Sequence, residues 1–245
     1  MLFRSESGNT VQRFNLLERF THWLTAISFI LLALTGLNIL YGRYVLKPLM
    51  GASAFATMTA WGKYTHDWIA FAFMVGLVLM FVLWVAYNLP TRADFVWLAK
   101  GGGMFSKHTH PPAYKFNAGQ KILFWIVIIG GFSVSFSGVC LLMPFTLHPF
   151  APTFGFLNLF GAGLPTDLTA LQETQLALIW HAAVALVLIA LILAHIYIGT
   201  LGMEGAFRAM TDGQVDENWA AEHHALWLAR IKNEPPKGAA AQPAE

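Results

Sequence analysis

Four long apolar blocks dominate the chain, at residues 20–40, 67–87, 122–143 and 176–201. None of the four contains an internal lysine or arginine. About 20 apolar residues in a helix are enough to span the hydrocarbon core of a bilayer. The blocks therefore predict an all-α integral membrane protein, a four-helix bundle followed by a helical extension at the C-terminus.

The composition excludes a soluble enzyme, a disordered chain and a disulfide-stabilised scaffold. Of the 245 residues, 56% are hydrophobic and 11% are charged, whereas an average soluble protein has about 25% charged residues. The single cysteine, Cys140, excludes an iron–sulfur cluster, a cysteine-rich zinc site and an internal disulfide. No C-x-x-C-H motif occurs, so any haem would be held by axial ligands, without thioether bonds.

The basic residues predict the orientation of the helices. Three lysines and arginines precede the first block, five lie between the second and third, and four follow the fourth. Three lie between the first and second blocks, and none between the third and fourth. Because positive residues of short loops stay in the cytoplasm, we expect both termini to be cytoplasmic. We also expect the first block to be a retained helix, since it is too long for a signal peptide, and residues 232–245 to be a disordered tail.

Four of the nine histidines lie in or at the ends of the apolar blocks, where ionisable residues are costly and mark function. His181 and His195 are fourteen residues apart on the fourth block, so they share a helix face and are separated by a rise of about 21 Å. The predicted topology places His22 at the depth of His195, on the cytoplasmic side, and we call these two the inner pair. It places His66 at the depth of His181, on the outer side, and these are the outer pair.

Each pair matches the ligand set of a bis-histidine haem b, in which two neutral imidazoles face each other across a bundle. A zinc site would need four ligands close together, whereas these histidines fall into two layers. Each histidine taken alone could also be a hydrogen-bonded interior residue. The set predicts two stacked haems b, one with its iron bound by His22 and His195 and the other with its iron bound by His66 and His181.

Three further residues lie where a haem would need them. Arg19 precedes His22 by three residues. Lys63 precedes His66 by the same interval, so each cation lies one helical turn closer to the surface than its histidine. Both could bind haem propionates, and both could equally be ordinary interfacial cations. Gly36 lies at the depth of the outer pair, where a missing side chain would let a macrocycle approach the backbone.

The segment FNAGQKILFW, at residues 116–125, places polar groups just before the third block. Asn117 and Gln120 could donate hydrogen bonds to the two oxygens of a quinone head group, beside an apolar route for its tail. The same residues fit a helix N-cap, so both interpretations stay open. The remaining histidines, expected on the solvated surface, are His108, His110, His148, His223 and His224.

Four segments carry a family resemblance: ERFTHW at 18–23, KYTH at 63–66, FNAGQKILFW at 116–125 and the stretch at 178–224. They resemble the gamma subunit of membrane-bound respiratory formate dehydrogenase, over about residues 13–231. The most specific features are the spacing of the last two histidines and a G-x-x-x-x-M-x-x-G-x-V pattern formed by Gly205, Met210, Gly213 and Val215.

The resemblance implies a dihaem cytochrome b domain over residues 1–231, in the bacterial inner membrane, that anchors an iron–sulfur beta subunit and a catalytic alpha subunit. In that family the outer haem receives electrons from the iron–sulfur subunit, and the inner haem passes them to menaquinone or ubiquinone on the cytoplasmic side. The ligands carried over are His66 and His181 for the outer haem, and His22 and His195 for the inner haem, with the quinone near Asn117 and Gln120. We expect no catalytic residue in this chain and no nucleic-acid partner, and a higher oligomer of the complex is left open.

Two features depart from the family pattern. Lys63 stands where arginine is expected, and the loop at 144–174 is longer and rich in Phe, Gly and Pro. The b-type cytochrome subunit of a membrane-bound nickel–iron hydrogenase shares the four-helix plan and is the nearest alternative. The other two alternatives are a proton-coupled transporter with intramembrane histidines and a haem-free anchor. A transporter is expected to have broken helices and inverted repeats, and this sequence shows neither.

Overall fold

A computed structural model describes residues 8–103 and 111–233 of the chain. Within these residues the helices, in chain order, are α1 (Leu16–Val45), α2 (Lys47–Met50), α3 (Ala52–Trp84), α4 (Arg92–Ala99), α5 (Ala118–Leu142), α6 (Phe150–Asn158), α7 (Ala170–Tyr197), α8 (Arg208–Thr211), α9 (Glu217–His223) and α10 (Ala225–Lys232). The strands are β1 (Thr10–Gln12) and β2 (Gln214–Asp216). Short 3₁₀ turns follow α3 and α4, and a π turn follows α7.

The helices α1, α3, α5 and α7 are long and apolar enough to cross a membrane, which confirms the prediction of four spans. Their bounds differ from those of the apolar blocks. α3 begins at Ala52, whereas the second block begins at Asp67, so His66 lies within the helix rather than at its start. Hydropathy marks only the part of a helix that lipid surrounds, and the alanine-rich sequence before His66 continues the helix beyond it.

Apolar side chains on these helices are widely exposed. Val82 is 67% exposed, Ile129 is 64% exposed and Leu193 is 63% exposed. Apolar surface of this extent is rare on proteins surrounded by water. The outward faces of the long helices are therefore suited to contact with lipid.

Prolines follow the ends of three long helices. Pro48 lies in the first turn of α2, directly after α1. Pro90 follows the turn at the end of α3, and Pro144 follows α5. Proline has no amide hydrogen, so it is tolerated in the first turn of a helix, as at Pro48, and interrupts a helix further along. The residue before Pro90, Leu89, is extended, with a φ of −68° and a ψ of 142°.

The chain divides into two compact units. The first unit consists of the described residues of Met1–Trp23, Val78–Ile126 and Ala194–Glu245, and the second unit consists of Leu24–Leu77 and Val127–Leu193. The inner pair therefore lies in the first unit and the outer pair in the second.

A short antiparallel ribbon in the first unit joins the N-terminal arm to the segment after α7. β1 pairs with β2, with Val11 opposite Val215, and Val215 is buried. The amide of Arg13 donates to the carbonyl of Gly213 at 2.8 Å, and Gly213 has a φ of +82° that glycine adopts readily. The ribbon adds two three-residue strands to the all-α bundle that the sequence predicts; segments this short show no alternating pattern in the sequence. The predicted C-terminal helical extension corresponds to α8, α9 and α10.

Glycines bring the long helices of the second unit into close contact. A Cβ atom on Gly131 would lie 2.8 Å from the side chain of Leu77, and one on Gly130 would lie 3.0 Å from Leu188. Small residues at such positions allow membrane helices to pack closely. Together these contacts pack α5 against α3 and α7.

A buried carboxylate holds the helix of the long loop in the second unit. Glu173 is 2% exposed, and its carboxylate accepts hydrogen bonds from the amides of Phe150 and Ala151 at 2.9 Å and 2.7 Å. These amides belong to the first turn of α6, where a negative charge satisfies otherwise unpaired donors. The loop at 144–174 thus contains a helix fixed to the start of α7.

Candidate functional site

In the second unit, the rings of His66 and His181 lie beside each other. Their centroids are 6.2 Å apart and their planes are inclined by 64°. α3 carries His66 and α7 carries His181. The structure thus brings together the two histidines of the outer pair.

A hydroxyl group on α1 holds the ring of His66. Oγ1 of Thr35 lies 2.9 Å from Nδ1 of His66. Thr35 donates its hydroxyl hydrogen to the carbonyl of Leu31 at 2.7 Å, so its oxygen accepts a hydrogen bond from the ring. His66 therefore carries its hydrogen on Nδ1, and the lone pair of Nε2 is available to a metal.

The ring of His181 is held in the same way by α5. Its Nδ1 lies 3.0 Å from the carbonyl oxygen of Val134 and 3.1 Å from Oγ of Ser137. A carbonyl oxygen can only accept, so Nδ1 of His181 carries the hydrogen. The hydroxyl of Ser137 donates to the same carbonyl at 2.9 Å. The lone pair of Nε2 is again available to a metal.

A glycine follows each of these hydroxyl residues and gives the neighbouring ring its space. A Cβ atom on Gly36 would lie 3.3 Å from Cε1 of His66. One on Gly138 would lie 3.2 Å from Cε1 of His181. A Cβ atom at either position would require the neighbouring ring to shift by a few tenths of an ångström. Gly36 thus lies against the outer pair, at the level that its sequence spacing predicts.

In the first unit, His22 on α1 and His195 on α7 form the inner pair. Their ring centroids are 6.2 Å apart, with planes inclined by 59°. Nδ1 of His22 is buried and has no hydrogen-bond partner among the described residues. Trp23 packs edge-on against the ring of His22 at 5.4 Å. Its Nε1 donates to the carbonyl of Met210 at 2.8 Å, which fixes this end of α1 to the segment after α7.

Both pairs fit a metal bound axially by two imidazoles. A bond of about 2.0 Å from each ring nitrogen to the metal would place the two ring centroids about 6 Å apart, and both separations are 6.2 Å. Within residues 8–103 and 111–233, no three His, Cys, Asp or Glu side chains converge on one point. Two histidines at each position would leave the remaining iron ligands to the macrocycle of a haem.

The two cations predicted at haem propionates make other contacts. Nζ of Lys63 lies 2.5 Å from a carboxylate oxygen of Asp67, and the Lys63 side chain is 65% exposed. Arg19 donates to the carbonyl of Thr211 through Nη1. Lys63 therefore takes part in a surface ion pair, and Arg19 joins α1 to the segment after α7. Binding of propionates by either cation stays a prediction.

Asn117 and Gln120 form a reciprocal capping box at the start of α5. Oδ1 of Asn117 accepts from the backbone amide of Gln120 at 2.9 Å, and Oε1 of Gln120 accepts from that of Asn117 at 3.0 Å. This is the N-cap interpretation of the segment. The box uses only the side-chain oxygens, so the two NH₂ groups remain donors for another ligand. Capping and quinone binding are therefore compatible.

Two buried ion pairs fix the backbone on either side of this capping box. Nζ of Lys115 lies 2.5 Å from Oε1 of Glu18, and the same oxygen accepts from Nε1 of Trp84 at 3.1 Å. Nζ of Lys121 lies 2.7 Å from Oδ2 of Asp94. The first pair holds the segment to the start of α1, and the second holds it to α4.

His224 corrects the expectation that the remaining histidines are solvated. It is fully buried, its Nδ1 donates to the carbonyl of Tyr114 at 2.6 Å, and its ring packs on Trp219. Burial and then the charge of Arg13 lower the pKa of His224 well below its usual value, so the ring is neutral and fastens the C-terminal helices. Of the others, His148 is exposed, His223 is half-buried, and His108 and His110 lie outside the described residues.

Thr35, Ser137 and Gly138 are residues of the outer site that sequence patterns do not single out. Their signal is a repeated dipeptide, a hydroxyl residue followed by glycine, which occurs as Thr35–Gly36 in the first block and Ser137–Gly138 in the third. Small residues of this kind are common wherever membrane helices pack. Only the geometry separates these two dipeptides from ordinary packing positions.

Comparison with known proteins shows the family of the chain. Residues 13–213 match the family model of prokaryotic cytochrome b561. The chain is 29% identical over 224 residues to the cytochrome b556(Fdn) subunit of nitrate-inducible formate dehydrogenase from Escherichia coli (strain K12), covering 91% of this chain and 92% of the relative. It is 24% identical over 213 residues to the formate dehydrogenase cytochrome b556 subunit of Haemophilus influenzae, covering 85% and 78%. The chain therefore belongs to the prokaryotic cytochrome b561 family and is a multi-pass, haem-binding protein of the bacterial inner membrane.

Proposed function

We propose that this chain is the dihaem cytochrome b subunit of a membrane-bound formate dehydrogenase. It carries electrons from an extracytoplasmic iron–sulfur beta subunit to a quinone that is reduced at the cytoplasmic side. The relatives reported above are cytochrome b556 subunits of formate dehydrogenases. With one cysteine, this chain leaves the iron–sulfur clusters to its partners, and formate oxidation belongs to the alpha subunit.

The observation that carries the proposal is the pairing of four histidines. His66 with His181, and His22 with His195, have the same ring separation of 6.2 Å. One member of each pair lies on α7, fourteen residues from the other. A single binding site would not need this repetition along one helix. Two haems at successive depths of the membrane account for it.

The direction of electron flow follows from the distribution of lysine and arginine. The positive-inside rule assigns both termini, and with them the inner pair, to the cytoplasmic side. Electrons would then arrive at the outer pair and leave from the inner pair. A quinone reduced there draws its protons from the cytoplasm, so formate oxidation outside and proton uptake inside together build a membrane potential.

The residues of this chain have separable tasks in that reaction. Bound haem supplies a one-electron redox group at each pair. The four histidines would hold the two irons, His66 and His181 through Nε2, and the NH₂ groups of Asn117 and Gln120 would donate to the quinone oxygens. The ion pairs of Lys115 and Lys121 keep those donors in place by fixing both ends of the capping box.

The purified complex is expected to contain two haems b for each copy of this chain. A dithionite-reduced spectrum should show a b-type α-band, and a pyridine haemochrome assay should count the haem. Formate should reduce both haems, and added quinone should reoxidise them. A colourless protein, or a single haem per chain, would refute the proposal. Co-purification with hydrogenase subunits would indicate that a nickel–iron hydrogenase, rather than formate dehydrogenase, supplies the electrons to the same path.

Replacing Asn117 with aspartate is expected to weaken quinone binding while leaving the helix start intact. Aspartate caps a helix as well as asparagine does, but it has no NH₂ group to donate. We expect the KM for quinone to rise about fivefold, since one hydrogen bond contributes about 1 kcal/mol. Gln120→Glu tests the second donor in the same way. The measurements are quinone reduction kinetics and thermal stability of the complex.

The control for this experiment is Asn117→Ala, which removes the cap and the donor together. It should lower stability by about 1 kcal/mol as well as raise the KM. If Asn117→Asp reduces quinone like the unmodified protein while Asn117→Ala is destabilised, the segment has only the capping role.

A further inference from the structure

We propose that Thr35 and Ser137 are positioning residues for the outer haem. Their hydroxyl oxygens accept hydrogen bonds from Nδ1–H of the two outer histidines and lower the midpoint potential of the iron that those histidines would bind. The proposal rests on the proposed function, because it requires a haem at the outer pair.

The first step is the position of the hydroxyl hydrogens. Thr35 directs its hydrogen to the backbone of its own helix, where the carbonyl oxygens of Leu31 and Leu32 lie 2.7 Å and 3.2 Å away. Its oxygen is left as an acceptor for Nδ1–H of His66. The Leu32 backbone is a further hydrogen-bond partner of the same ring.

The second step is that α5 repeats this arrangement at the other histidine. The carbonyl of Val134, three residues before Ser137, accepts from both the Ser137 hydroxyl and the ring of His181. Each outer ring therefore has one hydroxyl oxygen and one backbone carbonyl as partners. Two different helices supply the same pair of acceptors, and a glycine follows the hydroxyl residue in each.

The third step is the effect of these bonds on a bound iron. A ring that donates its Nδ1–H is held in one orientation and becomes a stronger electron donor through Nε2. Stronger donation stabilises ferric iron more than ferrous iron, and so lowers the reduction potential. The outer haem is thereby held at a lower potential than it would have with the same ligands and no hydroxyl groups.

The test is a redox titration of the intact complex carrying Thr35→Val or Ser137→Ala. Valine has the shape of threonine without its oxygen, and a backbone partner remains for each ring. We expect two haems to stay bound, one component of the α-band to titrate at a more positive potential, and the other to be unchanged. The two changes together should shift the same component further than either alone.

Two further variants separate a hydrogen bond from a packing effect. Thr35→Ser restores the hydroxyl and should return the potential toward that of the unmodified complex. Ser28→Ala removes another buried hydroxyl of α1, one that donates to the carbonyl of Leu24 at 2.6 Å, and should leave both potentials unchanged. Loss of one haem in Thr35→Val with retention in Thr35→Ser would also support the proposal, because the hydroxyl is what the second variant keeps.

Unchanged potentials in Thr35→Val and Ser137→Ala, with two haems bound, would overturn the proposal and leave the proposed function intact. A shift confined to the haem that His22→Ala removes would overturn it equally. An unmodified complex without haem would instead refute the proposed function itself.

Discussion

Replacing His181 with alanine should remove one of the two haems and abolish electron transfer from formate to quinone. In the proposed function His181 binds iron, and the methyl group of alanine cannot replace that bond. We expect the pyridine haemochrome assay to give about half of the unmodified haem content. Formate oxidation with a soluble electron acceptor should persist, because that chemistry belongs to a partner subunit.

The proposed pairing also predicts which two histidine variants lose the same haem. His66→Ala should remove the same spectral and potentiometric component as His181→Ala, whereas His22→Ala should remove the other. If His66→Ala and His181→Ala removed different components, the pairs would be wrong. His148→Ala is the matched control, since His148 is exposed, and it should retain both haems.

Replacing Lys121 with methionine should lower the free energy of unfolding by about 3–5 kcal/mol, the cost of breaking a buried ion pair from one side. The side chains of Lys121 and Asp94 are 7% and 13% exposed, and Lys121 also donates to the carbonyl of Leu89. Burial raises the pKa of Asp94, but hydrogen bonds from Lys121 and Thr91 lower it more, so this pKa lies below its usual value. Without Lys121, the carboxylate and the carbonyl both lose a partner.

The exposed pair of Lys63 and Asp67 provides the matched control. Lys63→Met also breaks a lysine–aspartate ion pair of 2.5 Å, but the Lys63 side chain is 65% exposed. Exposed ion pairs contribute about 0–1 kcal/mol to stability. Chemical denaturation in detergent, followed by circular dichroism, should separate the two variants. Adding Asp94→Asn to Lys121→Met should recover part of the loss, since it removes the unpaired charge. Equal losses in both lysine variants would contradict the role assigned to the buried pair.

The four spans and the four intramembrane histidines could be predicted because each depends on a local property of the chain. The length of an apolar run shows directly whether it can span a bilayer. A histidine inside such a run is equally visible in the sequence. Fixed helix spacing then relates His181 to His195 without any tertiary information. The capping box of Asn117 and Gln120 is equally local, since it lies within four residues.

The remaining features depend on contacts between distant segments. Thr35 and Ser137 resemble any other small polar residues of membrane helices until the histidine beside each is known. The ribbon needs both ends of the chain, since β1 and β2 are about 200 residues apart. His224 lies in a polar stretch that suggests exposure, and it is buried because the carbonyl of Tyr114 accepts its hydrogen bond.

The composition of the two units also orders the events of biosynthesis. The second unit, with the outer pair and its hydroxyl partners, needs no residue beyond Leu193. The first unit combines an N-terminal segment with the segment that follows α7, and β1 can pair only once Gln214–Asp216 has been synthesised. The outer pair is therefore contained in chain that ends at Leu193, whereas the inner pair also needs the segment that begins at Ala194.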